Sequence, residues 1–237
     1  TLSPSSAASD VYKRQEVMSE YFDLSHSVIA KIPNGVDMGR FTPIPTGDKF
    51  REKYSLHGKK IILFVGRLAV NKGLQDLISA FYRVQKDINN AHLVIVGEDA
   101  GMKDAIISDI NALGIMDKVT LTGHINENML KEAYGACDVF VLPSEYEAFG
   151  IVLLEAMACA KPCVATRVGG MSEIVAHGKT GFLVEYGNDE ELAEAISELL
   201  LNEEKSKAMG AEGRKVVEAM YSWDKVVDKI IELYNSL

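Results

Sequence analysis

The run Glu147-Ala-Phe-Gly-Ile-Val-Leu-Leu-Glu-Ala-Met157 decides how this chain is read. From Gly150 onward it is rich in Leu, Ala, Glu and Met, and no Gly or Pro follows before Pro162. These are good helix formers, so a buried helix is expected to begin near Gly150. Two carboxylates, Glu147 and Glu155, stand eight positions apart around the apolar run. Helical side chains lean toward the helix N-terminus, which would turn Glu155 back toward the loop that holds Glu147. A carboxylate in apolar surroundings is costly unless partners are supplied. Vicinal hydroxyls of a sugar would supply them, because a carboxylate only accepts hydrogen bonds, and the adjacent helix N-terminus would attract a phosphate.

Working outward, short apolar runs alternate with helical patterns. Strands are expected over 60–65, 92–96, 118–121, 139–142, 163–166 and 181–184, with helices over 73–87, 102–113 and 127–134 between them. This alternation indicates an α/β fold, a Rossmann-like parallel sheet with helices on both faces. Ligands of such sheets sit at the carboxyl ends of the strands, where both Gly66-Arg67 and residues 144–150 fall. Three further helices are expected over 189–201, 203–220 and 223–234. Ser222 caps the last of them, and Val226, Val227, Ile230, Ile231 and Tyr234 form an apolar stripe along it.

The ends and the composition set the remaining bounds. Residues 1–15 are Ser- and Ala-rich without a period; they read as a cloning or sequencing-adapter leader, or else a disordered tail, and are set aside. Residues 16–30 read as a helix and linker, with a short strand over 28–32 and a turn at Asn34-Gly35. Residues 31–237 then form one domain, for which 47% hydrophobic and 25% charged residues are ordinary values. No apolar stretch approaches the roughly 20 residues that span a bilayer, and no secretory signal is visible. The net charge of −9 argues against nucleic acid as main partner and against docking of this domain on anionic lipid. Cys137, Cys159 and Cys163 are odd in number and lack paired spacing, which favours buried free thiols in a reducing compartment over a metal site or disulfides.

Several ordered pieces together resemble the retaining glycosyltransferases of family 4, which have the GT-B fold. They are the Glu147/Glu155 pair, Val65-Gly66-Arg67-Leu68 with Lys72-Gly73, and Ile32-Pro33-Asn34-Gly35-Val36-Asp37 with Phe41. Val96-Gly97-Glu98, residues 138–144, Gly169-Gly170 and Thr180-Gly181-Phe182-Leu183-Val184 follow in order. The resemblance covers about residues 30–237 and only the C-terminal, donor-binding half of such an enzyme, which implies a further N-terminal acceptor domain. It implies catalytic roles for Arg67, Lys72 and Glu147. Glu155 would hold ribose hydroxyls, Glu147 and the main chain of Phe149, Gly150 and Ile151 the donor sugar, and His124-Ile125 would lie near the nucleobase. The implied reaction is hexosyl transfer from a nucleotide-diphosphate sugar, a UDP-sugar favoured over a GDP- or ADP-sugar, to an acceptor glycan, lipid or small molecule. No cofactor is implied, and the setting would be the cytoplasm, with the inner membrane face open to the full-length protein.

The chemistry fits this reading. A departing diphosphate develops negative charge that a metal or fixed cations can neutralise. No Asp-x-Asp pair occurs in the sequence, so the metal route lacks its usual ligands. Arg67 offers a permanently charged fork, Lys72 a mobile point charge, and Gly66 room for close approach. Singly, each residue has a plainer reading. Lys72 would be a solvated surface lysine, Arg67 an ion-pair donor, Gly66 a strand-end glycine, Glu147 a helix cap, His124 a loop histidine, and Gly169-Gly170 a matter of backbone geometry. A nucleotide-sugar binding module without turnover and a GT-B epimerase or phosphorylase remain alternatives.

Overall fold

The computed structural model describes residues 30, 32–44 and 46–236. The leader at 1–15 and the helix read after it lie outside them. Six parallel strands form one sheet: β1 Lys60–Val65, β2 Ala91–Val96, β3 Val119–Gly123, β4 Val139–Leu142, β5 Cys163–Thr166 and β6 Gly181–Val184. Their order is β3-β2-β1-β4-β5-β6. Consecutive strands therefore step outward from β1 in one direction and, after β3, return to its other side. The point of reversal lies between β1 and β4, the position at which sheets of this kind leave a crevice at the carboxyl ends of their strands.

The helices are α1 Asp48–Lys53, α2 Leu74–Asp87, α3 Lys103–Ala112, α4 Glu127–Ala136, α5 Ile151–Ala158, α6 Met171–Ile174, α7 Asp189–Leu201, α8 Glu203–Met220 and α9 Trp223–Ser236. β2, β4, β5 and β6 are buried along their whole length, as is β1 beyond Lys60. That two-sided cover is why they read as unbroken apolar runs. In α2 the large buried residues, with Ala80 buried beside them, are Leu74, Leu77, Ile78, Phe81 and Val84, one face at helical spacing. Each such side chain contributes roughly 1.5–3 kcal/mol by burial. Helix α2 packs on α3 and α7, α1 on α4, and α5 on α8.

The expected strands and helices appear within a few residues of their predicted bounds, with three departures. Helix α1 is additional; it is too short and charged to show a period, and Phe50 is its one buried anchor. Helix α6, a single turn, is also additional. Asn34-Gly35 does not turn, and of the strand read over 28–32 the described residues, Ala30 and Ile32, lie in no strand. Instead, Val36 pairs with Ser222, and the Trp223 ring lies so close to Gly35 that a Cβ there would sit 2.6 Å from it. The turn comes three residues later, where Asp37 Oδ1 accepts from the N–H groups of Gly39 and Arg40. The stripe on α9 is largely uncovered: Val226 is buried, while Val227, Ile231 and Tyr234 are exposed.

Candidate functional site

The loops after β1 and β4 are fastened to each other. Beyond Val65 the chain stays attached to its neighbour strand through Gly66 N–H to Val96 O (2.9 Å) and Leu68 N–H to Glu98 O (2.8 Å). A single 3₁₀ turn, Val70–Lys72, then leads to Gly73, which caps α2 in the left-handed region at φ 64°. A Cβ on Gly73 would lie 1.9 Å from Pro143 O, so the two loops meet backbone to backbone. Glu145 N–H donates to Asn71 O at 3.0 Å and completes the stitch. Lys72 is thereby held opposite Glu147, with Nζ 2.7 Å from Oε2 and the side chains only 16% and 19% exposed.

The next turn exposes backbone donors. Gly150 caps α5 with φ 88°, a conformation that leaves the N–H groups of Phe149, Gly150 and Ile151 without an acceptor among the described residues. They stand at the positive end of α5, one turn from the Lys72–Glu147 pair. Gly169-Gly170 lies against this turn: Gly170 N–H donates to Glu147 O at 3.3 Å, and a Cβ on Gly170 would come within 2.8 Å of Phe149 Cα. Its role is backbone packing. Ser144, just past the end of β4, is fully buried, and its hydroxyl has no partner among the described residues; its carbonyl accepts from Thr166 Oγ1 at 2.5 Å.

Glu155 sits in the second turn of α5 and shares no hydrogen-bond partner with Glu147. The Tyr134 hydroxyl donates to its Oε2 at 2.8 Å. Burial lifts the Glu155 carboxyl above the usual carboxylate range, opposed by the Tyr134 hydrogen bond and by the nearby Arg40 guanidinium. Arg40 itself pairs with Glu127 at 3.0 Å and lies over the Phe41 ring. The partner of Glu155 is thus Tyr134, a residue of another helix.

Comparisons with known proteins bear on this geometry. The profile described as Glycosyl transferases group 1 matches residues 47–216. The chain belongs to that glycosyltransferase family. It is 33% identical over 209 residues to the GDP-mannose-dependent alpha-(1-6)-phosphatidylinositol monomannoside mannosyltransferase of Mycobacterium tuberculosis, covering 85% of this chain and 54% of that protein. The structure is similar to that of HepE from Anabaena in complex with UDP and glucose, with TM-score 0.82 and 26% identity over 90% of this chain and 58% of that one. It also resembles the C-terminal domain of a glycosyl transferase group 1 protein from Francisella tularensis, with TM-score 0.74 and 26% identity, covering 80% of this chain and 100% of that one. The chain spans about half the length of the curated relatives it matches.

Gly66 and Lys72 follow β1, and Glu147, Phe149, Gly150 and Ile151 follow β4, so these residues lie at the carboxyl ends of two neighbouring strands. Arg67 follows Gly66; it is exposed, and its guanidinium makes no bond among the described residues. His124 and Ile125 follow β3, two strands away. His124 Nδ1 is 3.5 Å from Glu98 Oε1, with both side chains about 70% exposed. His124 borders a cleft of about 370 Å³ that is also lined by Leu68, Gly97, Glu98 and Thr122. Ile125 is half-buried against the core. Tyr134, Arg40 and the Asn71–Glu145 stitch went unread because neighbours from other elements carry no local periodic signal.

A larger hollow of about 560 Å³ opens at the opposite, amino ends of the strands. Its cations are already engaged. Arg51 donates to Ala136 O, Lys161 to Gly135 O and Cys137 O, and Lys60 to Leu200 O. These cations close the C-termini of α4 and α7.

Among the described residues no group of His, Cys, Asp and Glu is arranged to hold a metal, and no helix is long and apolar enough to cross a membrane. The three cysteines are free and buried; burial pushes the Cys137 and Cys159 thiols up to about 12 and also raises the Cys163 thiol well above its ordinary range.

Proposed function

We propose that this glycosyltransferase chain is the donor-binding half of a retaining enzyme that takes a nucleotide-diphosphate sugar and passes its hexosyl group to an acceptor held by a further N-terminal domain. The observation that carries the reading is the Lys72–Glu147 pair at the carboxyl ends of β1 and β4, beside three N–H groups that have no acceptor among the described residues. A bound diphosphate would draw on Lys72, on Arg67 swung inward, and on the N–H groups of Phe149 to Ile151. Glu147, released in part from Lys72, would accept from donor sugar hydroxyls, and Glu155 from the ribose. As the bond from the anomeric carbon to the phosphate oxygen breaks, the negative charge collects where these donors already point. The acceptor hydroxyl attacks on the same face and gives its proton to the departing phosphate oxygen, so configuration is retained without a dedicated base. The cations make a metal ion unnecessary in this reading, and the enzyme works in the cytoplasm.

A UDP-sugar is the proposed donor, supported by the likeness to the Anabaena protein solved with UDP and glucose; the Mycobacterium relative is named as GDP-mannose-dependent. Calorimetric titration of the chain with UDP, GDP and ADP in EDTA tests donor class and metal independence together. Binding of UDP above the others is expected. Binding by none of them, or only after Mg²⁺ or Mn²⁺ is restored, would overturn the reading.

A further inference from the structure

Glu155 is a flexible side chain with several rotamers, yet one of its oxygens is already taken. The Tyr134 hydroxyl lies 2.8 Å from Oε2, and Tyr134 is itself immobile: it is fully buried, with Phe41 edge-on and Phe140 tilted against its ring, each centroid 5.8 Å away. Helix α4 thus presents a fixed donor to a carboxylate on α5 from a side that solvent does not reach. A carboxylate offers about four acceptor positions; one is used, and Oε1 keeps its own. We propose that Tyr134 is a positioning residue, which pins Oε2 of Glu155 so that Oε1 faces the crevice ready to accept from a vicinal diol of the donor. This rests on the proposed role of Glu155 toward the ribose.

The hydrogen bond also keeps the carboxylate charged. Burial disfavours the ionised form of Glu155, and two groups counter it: Tyr134 from α4 and the Arg40 guanidinium from the 37–41 turn. On its own helix Glu155 faces the Cys159 thiol, which stays neutral. Loss of the phenol would raise the Glu155 carboxyl further, so that diol binding would fail at a higher pH.

The test uses the 237-residue chain, with UDP, GDP and ADP and their 2′-deoxy analogues as probes, the tightest wild-type binder being carried forward. Tyr134→Phe preserves the ring and its packing. It should weaken the ribonucleotide by roughly tenfold, the value of a hydrogen bond to a charged group, while the 2′-deoxy analogue changes less than about twofold. The pH midpoint of ribonucleotide binding should move upward. Glu155→Gln should abolish the ribo/deoxy preference, and adding Tyr134→Phe to it should have no further effect on that preference. If Glu155→Gln leaves the preference intact, or no probe binds wild type, the underlying reading of Glu155 fails and takes the proposal with it. If Glu155→Gln removes the preference but Tyr134→Phe weakens both nucleotides equally, or neither, with no pH shift, the positioning role alone is wrong.

Discussion

Lys72 Nζ lies 2.7 Å from Glu147 Oε2, across a gap of 75 residues in sequence and with both side chains largely shielded from water. The pair joins the end of the β1 loop to the end of the β4 loop, the two sides of the sheet's switch point. In the ligand-free protein each charge satisfies the other, which allows two ionised groups to sit in a crevice that a phosphate would later enter.

Lys72→Ala should weaken nucleoside diphosphate binding by about 1.5–3 kcal/mol, the range for a charge-assisted hydrogen bond. The parent nucleoside, which has no phosphate, should bind the variant and the wild type alike. Titration of both ligands against both proteins checks this; equal losses would remove Lys72 from the phosphate site.

Gly73→Ala combines a left-handed φ of 64° with a Cβ only 1.9 Å from Pro143 O. The conformation alone costs about 1–2 kcal/mol in an L-residue, and backbone on both sides of the clash has nowhere to go. A loss above about 3 kcal/mol is expected in urea unfolding, together with loss of diphosphate binding as the two loops part. A near-neutral variant would mean that the loops are not locked.

His92 ties stability to pH. Burial, aided by Lys59 and opposed by Asp117, lowers its imidazole from 6.5 to about 4, while Nε2 stays 2.8 Å from Thr120 Oγ1. The fold holds the neutral ring, so the unfolded chain takes up the proton first. Its contribution is complete above pH 6.5, declines as pH falls toward 4 and is constant below. About 3 kcal/mol in all should be lost over that window. Unfolding free energies of wild type and His92→Leu, measured at pH 7 and pH 4.5, should differ in slope by most of that amount. Parallel slopes would show that His92 is not held neutral.

The cysteines offer a reading of core integrity. With Cys137 and Cys159 raised to about 12 and all three buried, the native protein should react with a thiol reagent at pH 8 only as fast as it opens. Three equivalents should react at once in denaturant. Prompt native reaction of any one would place it at the surface.

Turnover separates the donor-binding reading from a complete enzyme. Transfer requires both substrates in near-attack geometry, worth roughly 7–11 kcal/mol when fully realised. The chain alone should bind donor nucleotide yet transfer no sugar, and a full-length protein carrying it should give product with the donor's anomeric configuration, as read by NMR. Robust transfer by the chain alone would refute the half-site proposal, and an inverted product would refute retention.

The Rossmann-like sheet was legible from the sequence because a buried parallel strand must be apolar on both faces. Residues 60–65, 139–142, 163–166 and 181–184 announce themselves in this way, and their strands fall on those bounds. The position of Lys72, Glu147 and Phe149 to Ile151 just beyond strand ends was legible too, since an apolar run that stops before Gly or Pro marks where a buried strand gives way to a loop. Helix α1 was not, for six residues with one buried anchor carry no period. Nor was the straight passage at Asn34-Gly35, where the Trp223 ring, distant in sequence, replaces the turn that the dipeptide favours locally.

What the sequence by itself determined is therefore the element order, the fold class and which chemical groups stand at strand ends, all consequences of local period and residue chemistry. Which group meets which was decided by the tertiary structure alone. Glu147 met Lys72 while Glu155 met Tyr134, and Arg67 stayed in solvent. The physical reason is that a hydrogen bond is settled over about 3 Å, between atoms that packing of the β1 and β4 loops and of α4 on its neighbours brings together from distant parts of the chain.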